Sequence, residues 1–168
     1  MASANALAKV HGAQLPAEVP DGAFVLGTDT LVSVGRRVMG KPSSAEEATQ
    51  MLSVLAGRKH RVVSGVALVR VAGGSVESSR RPVSVSCATT EVSFAALDEA
   101  QILAYVDTGE WKGKAGGYAV QGIAAMFVQS LNGEYSNVVG LPLHLMRNMF
   151  SELGLDLVRR TWLKDGDR

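Results

Sequence analysis

The chain reads as an α/β domain, with a mixed, twisted sheet flanked by helices and loops at the strand ends forming a cleft. Three observations predict this. Apolar, Val-rich runs at residues 24–26, 62–71 and 83–94 have the length and composition of strands. Between and after them, apolar residues recur at helical spacing behind capping residues. Gly-Gly and Asn-Gly pairs supply hairpin signals, so part of the sheet is antiparallel.

The elements follow in order. Residues 3–10 predict a short helix carrying Leu7 and Lys9, and residues 11–22, with Pro16 and Pro20, a loop. A strand over 23–27 ends in a small-residue turn that presents Asp29 and Thr30, and a second strand covers 31–34. A turn then leads to Lys41, held before Pro42. Ser44 caps the next helix and Glu47, three residues on, completes a capping box. Ala48, Met51, Leu52 and Leu55 form its apolar face, and Gly57 stops it.

Residues 62–71 predict a long strand, Gly73-Gly74 a hairpin turn, and Val83, Val85, Val92 and Phe94 a bent return strand. A helix begins at Asp98, runs through Ile102, Tyr105 and Val106, and stops near Gly109. Residues 124–131 read as a strand with Asn132-Gly133 as a turn, and 142–153 as a last helix ending at Gly154. Residues 155–168 form a polar tail to a single domain spanning 1–168.

Composition narrows the function. The 168 residues suffice for one real core, with 46% hydrophobic and 20% charged residues. Lys plus Arg is 17 against 16 for Asp plus Glu, which argues against a broad basic surface for nucleic acid but allows a local anion pocket. Cys87 is the one cysteine, so no intramolecular disulfide forms, and a reducing compartment is compatible. Its β-like surroundings favour a buried structural thiol over a nucleophile. The first ten residues lack a basic leader followed by a long apolar core, and no apolar run approaches the roughly 18 residues that span a membrane. The expectation is a cytoplasmic protein with no membrane partner.

Two segments carry candidate chemistry. In the first, residues 27–42, Asp29 at a strand end suits a divalent cation or a proton from water, although a turn or cap aspartate looks the same in sequence. Thr30 either bonds a ligand or completes the turn. Pro42 biases Lys41 toward extended backbone, where its ammonium suits a phosphate as well as solvent. The spacing is not that of a Walker A loop. In the second, residues 113–122, four glycines accompany Lys114 and Gln121. Glycines let backbone approach a ligand, and the Gln121 amide both donates and accepts, as reading a base edge requires. The basic run Arg58-Lys59-His60-Arg61 reads as solvated surface, with phosphate binding the alternative. His11, His60 and His144 lack metal-ligand spacing, and no G-x-S-x-G nucleophile motif occurs.

Taken in order, these motifs are similar to a known family. Gly27-Thr28-Asp29-Thr30, Gly40-Lys41-Pro42, Glu47-Ala48 with Met51-Leu52, Gly57 with His60 and Val62, Ser64-Gly65-Val66 and Thr90-Glu91-Val92-Ser93-Phe94 resemble the Maf family, as do Gly109-Glu110, Lys114-Ala115-Gly116, Gln121-Gly122 and Val138-Val139-Gly140-Leu141-Pro142. The resemblance runs from about residue 6 to residue 154. It implies a fold like that of the inosine triphosphate pyrophosphatases, cleavage of a nucleoside triphosphate between its α- and β-phosphates, and a divalent cation, Mg2+ or Mn2+. It assigns Asp29 as the catalytic and metal-binding acid and Lys41 as a phosphate contact. Lys9, on the first helix, matches a family lysine, and Lys114 falls in the Gly-Lys-Ala-Gly motif as a further substrate contact. Thr30 with Gln121 resembles the combination of the branch acting on dTTP and UTP, with a CTP-preferring or broader enzyme, or one acting on modified nucleotides, as the alternative. A homodimer is also implied.

The sequence departs from the family at one place. The family opens with a strand and a Ser-x-Ser-Pro-Arg-Arg phosphate loop, and neither is present. Arg36-Arg37 follows Asp29 and does not match that pair. The expectation is an N-terminally incomplete Maf-like domain with strand edges left unpaired. The alternative expectation is a weak or inactive nucleotide-binding protein.

Overall fold

A computed structural model describes residues 1–16, 18–20, 22–71 and 84–162. Its frame is a five-stranded antiparallel sheet in the order β2-β1-β3-β4-β5, where β1 is Phe24–Val34, β2 Arg37–Met39, β3 Lys59–Arg70, β4 Ser84–Phe94 and β5 Val128–Asn132. Helices α1 (Ala2–His11), α2 (Ala45–Leu55), α3 (Glu99–Asp107), α4 (Tyr135–Val139) and α5 (Leu143–Glu152) flank it. The α/β class with flanking helices is as the sequence predicts, and every pairing in the main sheet is antiparallel. The Gly73-Gly74 turn, Val83 and the last six residues of the polar tail lie outside the described residues. Leu155–Asp156 (β6) and Thr161–Trp162 (β7) pair as a small hairpin, with Trp162 6.3 Å from the Phe24 ring.

Strand β3 organises the core because its two halves face different surroundings. From Lys59 to Val63 exposed and buried residues alternate, whereas Ser64 to Val69 are all buried. His60, Val62, Ser64, Val66 and Leu68 share one face. His60 and Val62 meet the packing of α2 and α3, with Leu52, Leu55, Phe94 and Tyr105. Val66 and Leu68 meet Met149 and Phe150 of α5. On the opposite face Ala67 and Val69 pack on Ala6 and Val10 of α1.

Helix α1 lies unusually close to the sheet. A Cβ at Gly27 would stand 2.4 Å from the Ala6 carbonyl oxygen, and one at Gly65 would stand 2.3 Å from the Ala2 carbonyl carbon and the Ser3 nitrogen. Real Cβ atoms do not approach backbone so closely, so the contact requires glycine at both positions.

Three expectations change. Residues 23–34 do not break at Gly27–Thr30: β1 is one continuous strand, with Asp29 opposite Gly65 and Thr30 opposite Ser64. The glycine that suggests a turn is there for helix packing. Residues 124–131 begin as a 3-10 turn, Ile123–Phe127, which buries Ala124 and Phe127 at its three-residue period before β5 starts. Cys87 is exposed, not buried, because β4 alternates partly buried and exposed residues before Thr90 and Cys87 falls on the exposed side.

The helix signals hold with one shift. Ser44 accepts from the Glu47 nitrogen, but the Glu47 carboxylate turns to the nitrogen and hydroxyl of Ser43. Asp98 and Gln101 form the full reciprocal box on α3, a pair the sequence reading does not single out.

Adding a methyl under α1 should be costly. Gly65→Ala should lower stability by about 3 kcal/mol, as overpacking does. Gly40→Ala, where a Cβ meets nothing within 4 Å, should change it by no more than about 0.5 kcal/mol. Denaturant melts of the two variants check this, and equal effects would refute the close-contact argument.

His60 gives a pH prediction. Burial pushes it down from 6.5 to about 4, and its Nε2 is 2.8 Å from the Tyr118 hydroxyl. Below pH 6.5 the unfolded chain takes up a proton that the folded chain refuses until about 4. Stability should therefore decline between those values, by on the order of 3 kcal/mol in total from this group. Melting temperatures across that range should show the slope in the native protein and lose it in His60→Gln.

Candidate functional site

Alternation along β1 sends neighbouring side chains to opposite faces. Asp29 shares the face of Gly27 and Gly65, beneath α1, whereas Thr28, Thr30 and Val32 share the other. Over residues 24–31 β1 pairs with β3 alone among the described residues, because β2 reaches only Val32–Val34. A cavity of about 210 Å³ opens here, lined by residues from both faces: Lys9, Thr28, Asp29, Thr30, Val32 and Lys41, with Lys114, Tyr118, Val138 and Val139 across from them.

Each charged group arrives by a different route. Asn5 and Lys9 stand one turn apart on α1, so they share a face. Lys9 Nζ donates to Asp29 Oδ1 at 2.7 Å and to the Thr28 carbonyl at 3.0 Å, and Asn5 Nδ2 donates to Asp29 Oδ2 at 2.8 Å. Lys41 follows β2 on the loop before Pro42. Lys114 comes from the Gly-rich segment, which is tied to that loop by the Gly116 nitrogen donating to the Gly40 carbonyl at 2.9 Å.

The glycines of that segment serve packing more than ligand approach. A Cβ at Gly116 would stand 2.9 Å from Val32 Cγ2, and Gly116 and Gly117 both hold positive φ, 72° and 75°. Only Gly113 among them lines the cavity.

The electrostatics favour an ionised Asp29 beside cations. Burial pushes its carboxyl up, but the hydrogen bonds from Lys9 and Asn5 and the charges of Lys9 and Lys41 together outweigh burial and hold it below the ordinary carboxylate value. The Lys9 side chain is 53% exposed, so the pair contributes little to stability. Its effect is to fix the carboxylate and keep it charged.

Five of the six residues singled out from sequence therefore line one cavity: Lys9, Asp29, Thr30, Lys41 and Lys114. Gln121 does not line it; it is exposed on the turn after Val120. That turn is held by Glu110, whose carboxylate accepts from the Ile123 nitrogen at 2.9 Å and fills the space beside Gly122. The Arg58–Arg61 run divides, with Arg58, Lys59 and Arg61 exposed and His60 in the core.

Sequence reasoning overlooked Asn5 and the polar cluster under Thr30. Asn5 leaves a readable signal, four residues before Lys9 on a helix. Ser64 and Thr90 stand in recognisable motifs, but nothing in those motifs shows that they meet. Thr30 Oγ1 lies 2.8 Å from Ser64 Oγ, Ser64 donates to the Asn137 carbonyl at 3.1 Å, and Asn137 Nδ2 donates to the Val62 carbonyl and to Thr90 Oγ1. These residues are far apart in sequence and meet only through the sheet. No helix among the described residues is long and apolar enough to cross a membrane.

Comparison with known proteins finds relatives that cover most of the chain. A dTTP/UTP pyrophosphatase of Bradyrhizobium diazoefficiens is 44% identical over 163 residues, which is 97% of this chain and 73% of that protein. One of Nitrobacter hamburgensis is 43% identical over 99% of this chain and 75% of its own length. A third, of Rhodopseudomonas palustris strain BisB18, is 44% identical over 97% of this chain. The description Maf-like protein matches residues 1–153, which include every residue that lines the cavity, and the chain belongs to that family.

Proposed function

We propose that the chain is a nucleoside triphosphate pyrophosphatase that hydrolyses dTTP and UTP to the nucleoside monophosphate and diphosphate. The observation that carries this is the convergence of Lys9, Lys41 and Lys114 with an ionised Asp29 on one open cavity. The names of the relatives at 43–44% identity support the substrate class.

The chemistry asks little covalent work of the protein. Water attacks the α-phosphorus, the bond from that phosphorus to the bridging oxygen breaks, and diphosphate leaves with that oxygen. The burden is charge neutralisation and positioning. Lys41 and Lys114 meet the phosphates as point charges. Lys9 stands between Asp29 and the incoming anion, so it both orients the carboxylate and adds positive charge. Asp29, kept ionised, accepts from the attacking water or holds a cation. Thr30, which lines the cavity, acts on the base.

Mg2+ is ordinarily held by one or two carboxylates plus substrate phosphates, not by an all-protein cage. Among the described residues no three His, Cys, Asp or Glu gather as such a cage, and the lone Asp29 at the cavity fits the shared arrangement. A divalent cation, Mg2+ or Mn2+, held by Asp29 together with the nucleotide would supply further charge neutralisation at the phosphates.

Diphosphate release from dTTP and UTP in the presence of Mg2+ tests the reading. Asp29→Asn, which keeps the shape and removes the charge, should lower kcat by about 100-fold or more. Lys41→Ala should act mainly on KM, raising it about tenfold if it binds ground state and transition state alike. Full turnover in Asp29→Asn would remove Asp29 from the mechanism, and no release from any nucleoside triphosphate by the native chain would overturn the activity.

A further inference from the structure

We propose that a one-way hydrogen-bond relay, from Thr30 to Ser64 to the Asn137 carbonyl, makes Thr30 an acceptor toward the cavity and so selects uracil and thymine over cytosine. The proposal rests on the nucleotide reading above and adds a direction to it: which partner holds the proton at the base.

The direction follows from counting protons. Ser64 is fully buried, with 0% exposure, and its hydroxyl carries one proton. Its oxygen is 3.1 Å from the Asn137 carbonyl, which can only accept, so the Ser64 proton goes there. Thr30 Oγ1 is 2.8 Å from the same Ser64 oxygen. With the Ser64 proton committed, that contact needs the proton of Thr30. The reverse order would set the Ser64 oxygen and the Asn137 oxygen lone pair to lone pair in a buried place, which is strongly disfavoured.

The end of the relay is fixed. The Asn137 side chain is fully buried and donates at 3.1 Å to the Val62 carbonyl and at 2.9 Å to Thr90, and the Gly140 nitrogen adds a 3.0 Å bond to the Asn137 carbonyl. Thr30 lines the cavity, and Gly140 leaves its hydroxyl uncrowded, since even a Cβ there would stand at an ordinary 3.6 Å.

What Thr30 has left to offer is lone pairs. Uracil and thymine present two carbonyl acceptors and a single donor, N3–H, on their pairing edge. An acceptor-only hydroxyl can engage only that N3–H. Cytosine presents a lone pair at N3, so the same placement would set acceptor against acceptor. Ser64 is thus a positioning residue that acts through Thr30.

The test compares kcat/KM for UTP and CTP, together with equilibrium binding of UMP and CMP, in the native chain, Ser64→Ala and Thr30→Val. The native chain should favour the uracil nucleotide in both measurements. Ser64→Ala frees the Thr30 proton to point at the cavity, so the preference should fall about tenfold or more, with CTP use rising. A purely structural role for Ser64 would depress both nucleotides together. Thr30→Val should lower the preference by weakening the uracil nucleotide alone, and it reads the relay even if Ser64→Ala does not fold. No turnover of either triphosphate, with a UMP preference that Ser64→Ala erases, would overturn the activity and keep the relay. Equal binding of UMP and CMP by the native chain, or a preference unchanged in either variant, would overturn the relay.

Discussion

The structure depends on one close contact, the seating of α1 directly on the backbones of β1 and β3 over Gly27 and Gly65. Sheets and helices usually keep their distance because side chains stand between them. Here two glycines remove that layer, and Ala6 and Val10 press down beside them. The contact sets the height of the helix above the strand. That height brings Lys9 and Asn5 within hydrogen-bond reach of the two Asp29 oxygens. The apolar packing supplies the stability and the polar contacts use it, since an exposed lysine pair alone is worth little.

The rest of the cavity is assembled by the same logic of small residues under load. Gly116 packs against Val32 and hydrogen-bonds to Gly40, which joins the loop bearing Lys114 to the loop bearing Lys41. Among the described residues, neither lysine's side chain makes a hydrogen bond or an ion pair. The loops that carry them are tied together through backbone, so positive charge is concentrated without the lysines being buried. A polyanion entering the cavity meets cations from three separate parts of the chain.

Much of this is legible in the sequence, for identifiable reasons. Helices α2 and α5 and strands β3 and β4 announce themselves by period and composition, and Asp98 and Gly109 bound α3. The continuity of β1 is not legible, because Gly27-Thr28-Asp29-Thr30 has the composition of a turn and its glycine answers to a helix elsewhere in the chain. Helix α4, at five residues, is too short for a period to show. Lys9, Asp29, Thr30, Lys41 and Lys114 are recognisable through ordered motifs, and they do share a cavity. Asn5 is missed although its spacing to Lys9 is visible. Ser64 falls in a recognisable motif, but its partnership with Asn137 has no local signature, since it is a hydrogen bond between residues 73 positions apart.

On the proposed function, Asp29 and Thr30, adjacent on an unbroken strand, would couple reaction and recognition through the pleat. The two side chains leave the backbone on opposite sides, one toward α1 and one toward the cluster beneath α4. A substitution at position 30 alters the contact with Ser64 without touching the carboxylate held by Lys9. A one-residue insertion or deletion in β1 before them would exchange their faces, sending the acid into the polar cluster and the hydroxyl under the helix. Strand β1 should therefore resist changes of length, unlike the loops that carry Lys41 and Lys114.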